Sequence, residues 1–340
     1  MKFLQKAAFS AVIAVLGSGA FAQEVTLKMH QFLPEQANVP KLILLPWAER
    51  IEEASGGRIE VQHFPSMQLG GKPPELASQV VDGVADIIWT VAGYTPGRFP
   101  QAEVFELPFI MTNAEDTSRA YWEFAEANMM DSDFRDMKML GVWVHGPGVI
   151  HSKEPVNEIS DLNGMKVRGP TRIITGMLSE LGATPVGMPV PAVPEALSKG
   201  VIDATVIPWE VTGALKVPEL VTNHTTFGGE ALYTTAFIFA MNQAKYDSLP
   251  DDLKAVIDNN SGADLSALGG KMMAKADGPS REAAEELGNN IIDLDPDQVA
   301  EWKGAAAEVK ANWIEDMNGK GFDGQALVDQ AEALIAKHSE

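Results

Sequence analysis

The chain of 340 residues contains no cysteine. That excludes disulfides, a thiol nucleophile and every cysteine-ligated metal site. Basic residues are scarce, with 26 Lys and Arg against 47 Asp and Glu, a formal net charge of −21. So acidic a surface argues against nucleic acid and against anionic membrane as partners. It also repels an anionic solute over long range, so an acid ligand would need a cationic residue inside its cleft. Beyond Leu16 no apolar run is long enough to span a bilayer, so the rest of the chain is expected not to be membrane-embedded. The familiar catalytic patterns are missing as well: no GxSxG elbow, no HExxH and no dinucleotide fingerprint. Gly70-Gly71-Lys72 lacks the upstream glycine and the following Ser or Thr of a phosphate loop. His145 and His151 have no partner at metal-ligand spacing and read as satisfied structural histidines, so no metal and no cofactor are expected.

What is present begins with an export signal over residues 1–22. Lys2 and Lys6 give the positive start, Ala7 to Leu16 the apolar run, and Ala20-Phe21-Ala22 the small-x-small cleavage site. That run is too short to span a membrane, so cleavage after Ala22 would release a freely soluble exported protein. Removing the two lysines makes the mature net charge −21 − 2 = −23. The mature length exceeds what one core usually serves, so two domains are expected.

The first part reads as strand (25–31), helix (39–55), strand (59–64), helix (74–82) and strand (87–89), a βαβαβ order. A helix (116–130) and a strand (139–144) follow, ending in His145-Gly146-Pro147-Gly148, a candidate crossover between domains. A second strand–helix–strand–helix–strand series runs from Leu162 to Asp203. Met165 to Arg168 is a short strand stopped by Gly169-Pro170, and Thr171 to Leu181 has helical apolar spacing ended by Gly182. Such alternation implies parallel sheet. Arg168 falls at the carboxyl end of its strand, where open α/β sheets place their ligands. Leu232 to Met241 reads as a strand crossing back, and Pro250 to His338 as mostly helical.

The ordered pieces GMKVRGP, LGATPVGMP and ALSKGVIDA, together with DGVADI and GRFPQAEVFELPF, resemble the solute-binding proteins of TRAP (tripartite ATP-independent periplasmic) transporters, of the C4-dicarboxylate-binding type. The resemblance covers nearly all of the mature chain. It implies an α/β fold like that of periplasmic binding proteins, two βαβ domains with crossover strands and a ligand cleft between them. The domains are expected at 23–145 plus about 232–275, and at 146–231 plus about 276–340. It implies no enzyme but a monomer that takes a small organic acid in the periplasm and delivers it to TRAP membrane permease subunits. An ABC-importer binding protein and an exported hydrolase are the other classes compatible with the sequence.

In that family the arginine at the position of Arg168 grips a carboxylate, and the resemblance implies the same here. The chemistry fits, because a guanidinium fork donates two parallel hydrogen bonds to a carboxylate and stays charged. Around it the candidate ligand residues are Trp209, Trp89 and Trp143 at strand ends, Gln31, Phe32 and Gln68 on first-domain loops, Arg172, Glu210, and Phe237 on the crossing strand. Two departures from the family bear on the ligand. Ile207 stands before Pro208 where asparagine is common, with Ala204 in a glycine position, and Gly146-Pro147-Gly148 stands where many members carry a second arginine. A second carboxylate would then be buried without a cation, which is costly. The expected ligand is a monocarboxylate, a 2-oxo or 2-hydroxy acid with an apolar or aromatic side chain; C4-dicarboxylates and sugar acids are the alternative.

Overall fold

The structure, a computed structural model, describes residues 23–339. The expected export signal lies outside the described residues.

The strands, in chain order, are β1 (Val25–His30), β2 (Ile59–Phe64), β3 (Ile87–Val91), β4 (Met137–Val144), β5 (Gly148–Ser152), β6 (Lys166–Gly169), β7 (Thr184–Gly187), β8 (Ala204–Pro208), β9 (Asn223–Thr226), β10 (Ala236–Asn242) and β11 (Asn290–Asp293). The helices are α1 (Leu45–Ala54), α2 (Leu76–Val81), α3 (Ala114–Asn128), α4 (Arg172–Glu180), α5 (Val193–Ser198), α6 (Thr212–Leu215), α7 (Gln243–Asp247), α8 (Asp251–Asn259), α9 (Ala263–Glu286), α10 (Pro296–Ala305), α11 (Ala307–Gly319) and α12 (Gly324–His338).

They build two sheets. The first has the order β2-β1-β3-β10-β4 and the second β11-β9-β5-β8-β6-β7. Each sheet contains one strand antiparallel to both neighbours: β10 between β3 and β4, and β5 between β8 and β9. These are the strands that enter from the other lobe. The chain leaves β4, crosses at 145–147 and enters β5; it leaves β9, crosses back and enters β10. The two crossings lie against each other, with Gly148 N donating to Tyr233 O (3.0 Å) and Thr234 Oγ1 to His145 O (2.9 Å). Gly148 is required there, since a Cβ on it would meet the Tyr233 ring at 2.1 Å.

Central strands are mostly apolar because helices cover them: every residue of β3, β8 and β10 is buried, and only Thr90, Thr205 and Asn242 among them are polar. Helix α4 starts at the N-cap Thr171, whose side chain accepts from Ile174 N, and its apolar face is Ile173, Ile174, Met177 and Leu178. Gly182, at φ +87°, follows its last turn.

Three features differ from the sequence expectation. β9 (NHTT) and β11 (NIID) were not expected as strands; they carry polar residues without alternation and pair in parallel at the sheet edge. α12, expected with the second domain, packs against α3 of the first lobe, where Lys337 pairs with Glu123 and Gln330 Oε1 accepts from Asn128 Nδ2. Its buried stripe Leu327, Val328, Ala331 and Ile335 needs an apolar partner face, and α3 supplies one. α9 is a single helix of 24 residues that touches α3 and β4 on one side and the 209–211 turn on the other. It thus runs through the expected boundary near residue 275 and ties the lobes along one side. Among the described residues no helix is long and apolar enough to cross a membrane.

Candidate functional site

Between the sheets lies a small cavity lined by residues of both lobes. β6 delivers Arg168 to it from the second lobe. The side chain is buried, at 1% exposure. Its Nε donates to Met188 O (2.9 Å) and its Nη1 to Val206 O (3.1 Å), which fixes the fork, while Nη2 has no partner. Among the described residues no carboxylate lies within ion-pair distance of it. A buried guanidinium with a free N–H and no counter-charge carries a desolvation cost of several kcal/mol that an anion in the cavity would offset.

The first lobe supplies aromatic surface. Trp89 at the middle of β3 stacks between Phe32 (centroids 4.8 Å, planes at 20°) and Phe237 on β10 (4.9 Å, 14°), and all three rings line the cavity. Tyr94, in the turn after β3, lies beside Arg168 with its hydroxyl accepting from Val190 N (2.9 Å). Tyr233, from the returning crossover, completes that wall together with His145 from the outgoing one. Burial raises both phenols above their ordinary range, so they stay neutral. Burial, reinforced by the Arg168 charge, lowers His145 to about 4, so it is neutral too. Its Nδ1–H donates to Gly146 O (2.5 Å) and Nε2 keeps the lone pair.

Second-lobe walls are the apolar Val190, Ile207, Pro208 and Val211, with Glu210 among them. The Glu210 carboxyl is 2% exposed, Oε2 has no partner, and burial with the nearby Asp277 pushes it up to about 8. A second buried acid, Glu106, sits behind the first-lobe wall, accepting from Thr171 Oγ1 (2.6 Å) and Ala236 N (3.2 Å), and burial raises it to about 8. Thr171 belongs to the second lobe and Glu106 to the first, so this contact spans the seam. Gly93 permits the approach, since a Cβ there would meet Thr171 Cγ2 at 2.4 Å.

Of the ten residues expected at the site, the structure brings Arg168, Trp89, Phe32, Phe237 and Glu210 to one cavity. The other five lie elsewhere, each for a geometric reason. Trp209, one residue before Glu210, turns to the opposite side of the second sheet and packs edge-on against His151 and beside His224 (both 4.9 Å). Trp143 on β4 is separated from β3 by β10 and fills the first-lobe core, with centroids 6.4 Å from Trp89 and Gly269 pressed on its ring. Gln31 points backward: its amide donates to Leu33 O (2.8 Å) and its carbonyl accepts from Leu33 N, which holds the loop that presents Phe32. Gln68 is exposed on its loop. Arg172, at the first turn of α4, reaches across the seam to Glu103 and to Asp316 (2.7 Å). Sequence reasoning did not single out Tyr94 and Tyr233 at all. Tyr233, inside the expected crossing strand of Leu232 to Met241, was a usable signal; Tyr94, in a short turn, offered none. Among the described residues no group of three or more acidic or histidine side chains is placed to hold a metal ion.

The family model described as bacterial extracellular solute-binding protein, family 7 (DctP), matches residues 31–316. A TRAP solute-binding protein of Rhodoferax ferrireducens, solved with copurified benzoate, is 51% identical, with 92% of this chain and 98% of that one covered and a TM-score of 0.91. A marine metagenome TRAP solute-binding protein specific for aromatic acids, solved with 3-hydroxybenzoate, is 51% identical over 94% and 100% of the two chains, with a TM-score of 0.91. A TRAP periplasmic solute-binding protein of Bordetella bronchiseptica with bound mandelate is 26% identical over 92% and 99%, with a TM-score of 0.84.

Proposed function

Because the chain belongs to the family 7 bacterial extracellular solute-binding proteins and is a TRAP transporter solute-binding protein, we propose that its ligand is an aromatic monocarboxylate, held by Arg168 and enclosed by aromatic rings. Family members are periplasmic; the finer reading is that residues 1–22 direct export, that cleavage follows Ala22, and that the loaded protein hands its ligand to the membrane permease subunits.

The observation that carries the ligand class is the free Nη2 of Arg168 in a cavity where, among the described residues, it is the only Lys or Arg of the wall. One cation matches one carboxylate. A second carboxylate would face Glu210 and apolar side chains, and burying it unpaired is disfavoured by several kcal/mol. The stacked Phe32, Trp89 and Phe237 rings favour a flat apolar remainder. That benzoate, hydroxybenzoate and mandelate occupy the relatives named above supports the class. Mandelate also keeps a 2-hydroxy acid within it, the finer expectation drawn from the sequence. Calorimetric titration of the mature protein with benzoate, mandelate, phenylpyruvate and succinate tests the reading. Micromolar or tighter binding of an aromatic acid is expected, with succinate at least a hundredfold weaker; the reverse order would overturn it.

A further inference from the structure

Glu210 has a feature that a carboxylate grip on Arg168 leaves unused. Its backbone is held from two sides, with N–H donating to Asp277 Oδ1 (2.8 Å) and C=O accepting from Asn38 Nδ2 (2.5 Å). The Asn38 amide also lies close to the carboxyl, yet one side-chain oxygen, Oε2, is buried in the cavity wall with no hydrogen-bond partner. A purely structural residue there would be better as leucine or methionine, since a buried polar atom left unpaired costs about 1–3 kcal/mol. The surroundings also restrict what could pair with it. Burial and the neighbouring Asp277 keep the carboxyl protonated near neutral pH. A protonated carboxyl offers one O–H donor and carbonyl acceptor capacity, which matches a hydroxyl, itself donor and acceptor. It does not match a second carboxylate, which Asp277 and the lack of a second cation in the wall among the described residues disfavour.

We propose that Glu210 is a specificity-determining residue that hydrogen-bonds a hydroxyl on the aromatic ring of the ligand, so that the preferred substrates are hydroxylated aromatic monocarboxylates. This rests on the aromatic-acid reading above and narrows it. Arg168, braced by Met188 and Val206, takes the carboxylate; Glu210, braced by Asn38 and Asp277, reads the substituent.

The test is calorimetry on the mature protein with benzoate, 3- and 4-hydroxybenzoate, and the matching 3- and 4-methylbenzoates. In the wild type the better hydroxy acid should bind about tenfold tighter than its methyl counterpart, the worth of one net buried hydrogen bond. Glu210→Leu should bring that ratio to about one or below. Glu210→Gln, which keeps a donor and an acceptor, should retain a preference of several-fold, and it serves where the leucine variant does not fold. A wild type that binds benzoate but shows no hydroxyl preference at either position overturns the inference alone, as does a preference that survives in folded Glu210→Leu. Failure of all five acids to bind the wild type instead overturns the aromatic-acid reading beneath it.

Discussion

The two walls of the cavity are built from different chemistry. The first-lobe wall is a stack of rings, Phe32, Trp89 and Phe237, with parallel planes and no charge in contact with the cavity. The second-lobe wall has no stacked rings; it carries the guanidinium of Arg168 and the carboxyl of Glu210 among aliphatic side chains. The difference separates two tasks. The second lobe supplies the directional polar contacts, Arg168 at a strand end where the Met188 and Val206 carbonyls hold its guanidinium still, and Glu210 in the turn after β8. The first lobe supplies area and flatness, which reward a ring and are indifferent to its charge. Substitutions in the two walls should therefore fail differently.

The largest effect belongs to the polar wall. Arg168→Ala should weaken every acid ligand by about 2–5 kcal/mol, roughly 30-fold to several thousandfold. Arg168→Lys should be nearly as poor, because an ammonium cannot bond Met188 O and Val206 O and still offer a fork. Titration calorimetry measures both. Near-normal affinity in folded Arg168→Ala would erase the division between the walls.

Next comes pH, where the buried titratable groups pull in opposite directions. Glu210 and Glu106 are raised from 4.5 to about 8, and Asp277 from 3.8 to about 7. In the unfolded chain these groups ionise near their ordinary values, so the stability they contribute is present below pH 4–5 and is lost as pH rises through 7 and 8. The histidines act on the acid side. His145 and His224 are lowered by burial to about 4 and His151 well below its ordinary value, so their contribution is present above pH 6.5 and is lost as pH falls toward 4. His151 and His224 are further bound to one fixed proton arrangement. His151 Nε2–H donates to Ile207 O (3.2 Å), leaving its Nδ1 to accept from His224 Nδ1 (2.7 Å), so an added proton would break the pair. The ligand-free protein should thus be most stable between pH 5 and 7 and lose a few kcal/mol by pH 9. Glu210→Gln should recover part of the alkaline loss and change little at pH 5. Chemical denaturation at pH 5, 7 and 9 measures this; a Glu210→Gln protein with an unchanged alkaline slope would contradict it.

Much of this arrangement was legible in the sequence, and the limits have physical causes. Arg168 could be placed because Gly169-Pro170 ends its strand directly after it, and a strand end in α/β topology is a ligand position. The crossovers were legible from Gly146-Pro147-Gly148 and from the apolar run around Phe237. Trp209 shows what periodicity leaves open: the strand end was read correctly, but which of two adjacent residues faces the cavity depends on a one-residue rotation that only packing decides. Trp143 shows the same for layers, since a strand's place within its sheet is not written in its own residues. β9 and β11 lack any hydrophobic alternation, so no local signal marks them as strands.

The ring wall should respond more gently. Phe237→Leu removes one side of the stack on Trp89 while keeping an apolar side chain of similar size. A loss of about 1 kcal/mol, roughly fivefold, is expected for benzoate. An aliphatic acid such as 2-oxobutanoate should lose less, because it has no ring to stack. Equal losses for both acids would mean that the wall contributes area alone, and the comparison would then reduce to charge against bulk. Fluorescence titration, with Trp89 in the wall as reporter, separates these cases.

The smallest effect is expected at the seam, where the two arginines of one turn part company. Arg172 lies four residues after Arg168 and its side chain points out of the cavity to Glu103, which is 5% exposed, and to Asp316. Glu103 also accepts from Trp313 Nε1 (3.1 Å). Glu103 belongs to the first lobe and Arg172 to the second, so the pair exists only when the lobes are together, alongside Thr171 with Glu106. A contact confined to the closed state lowers its energy relative to the open state. Ligand affinity, which includes the cost of closure, then shifts by the same amount. The arginine is 35% exposed, so the pair is screened and its net worth is discounted to about 0.5–1 kcal/mol. Arg172→Ala should therefore weaken all acid ligands alike, by two- to fivefold, with no change in the ranking of hydroxylated, methylated or aliphatic acids. The loss should shrink in high salt, where the wild-type pair is itself weakened. Small-angle scattering of the variant without ligand should show a more expanded molecule. A change in ligand ranking instead would place Arg172 in contact with the ligand, and the outward geometry of its side chain would not describe the bound state.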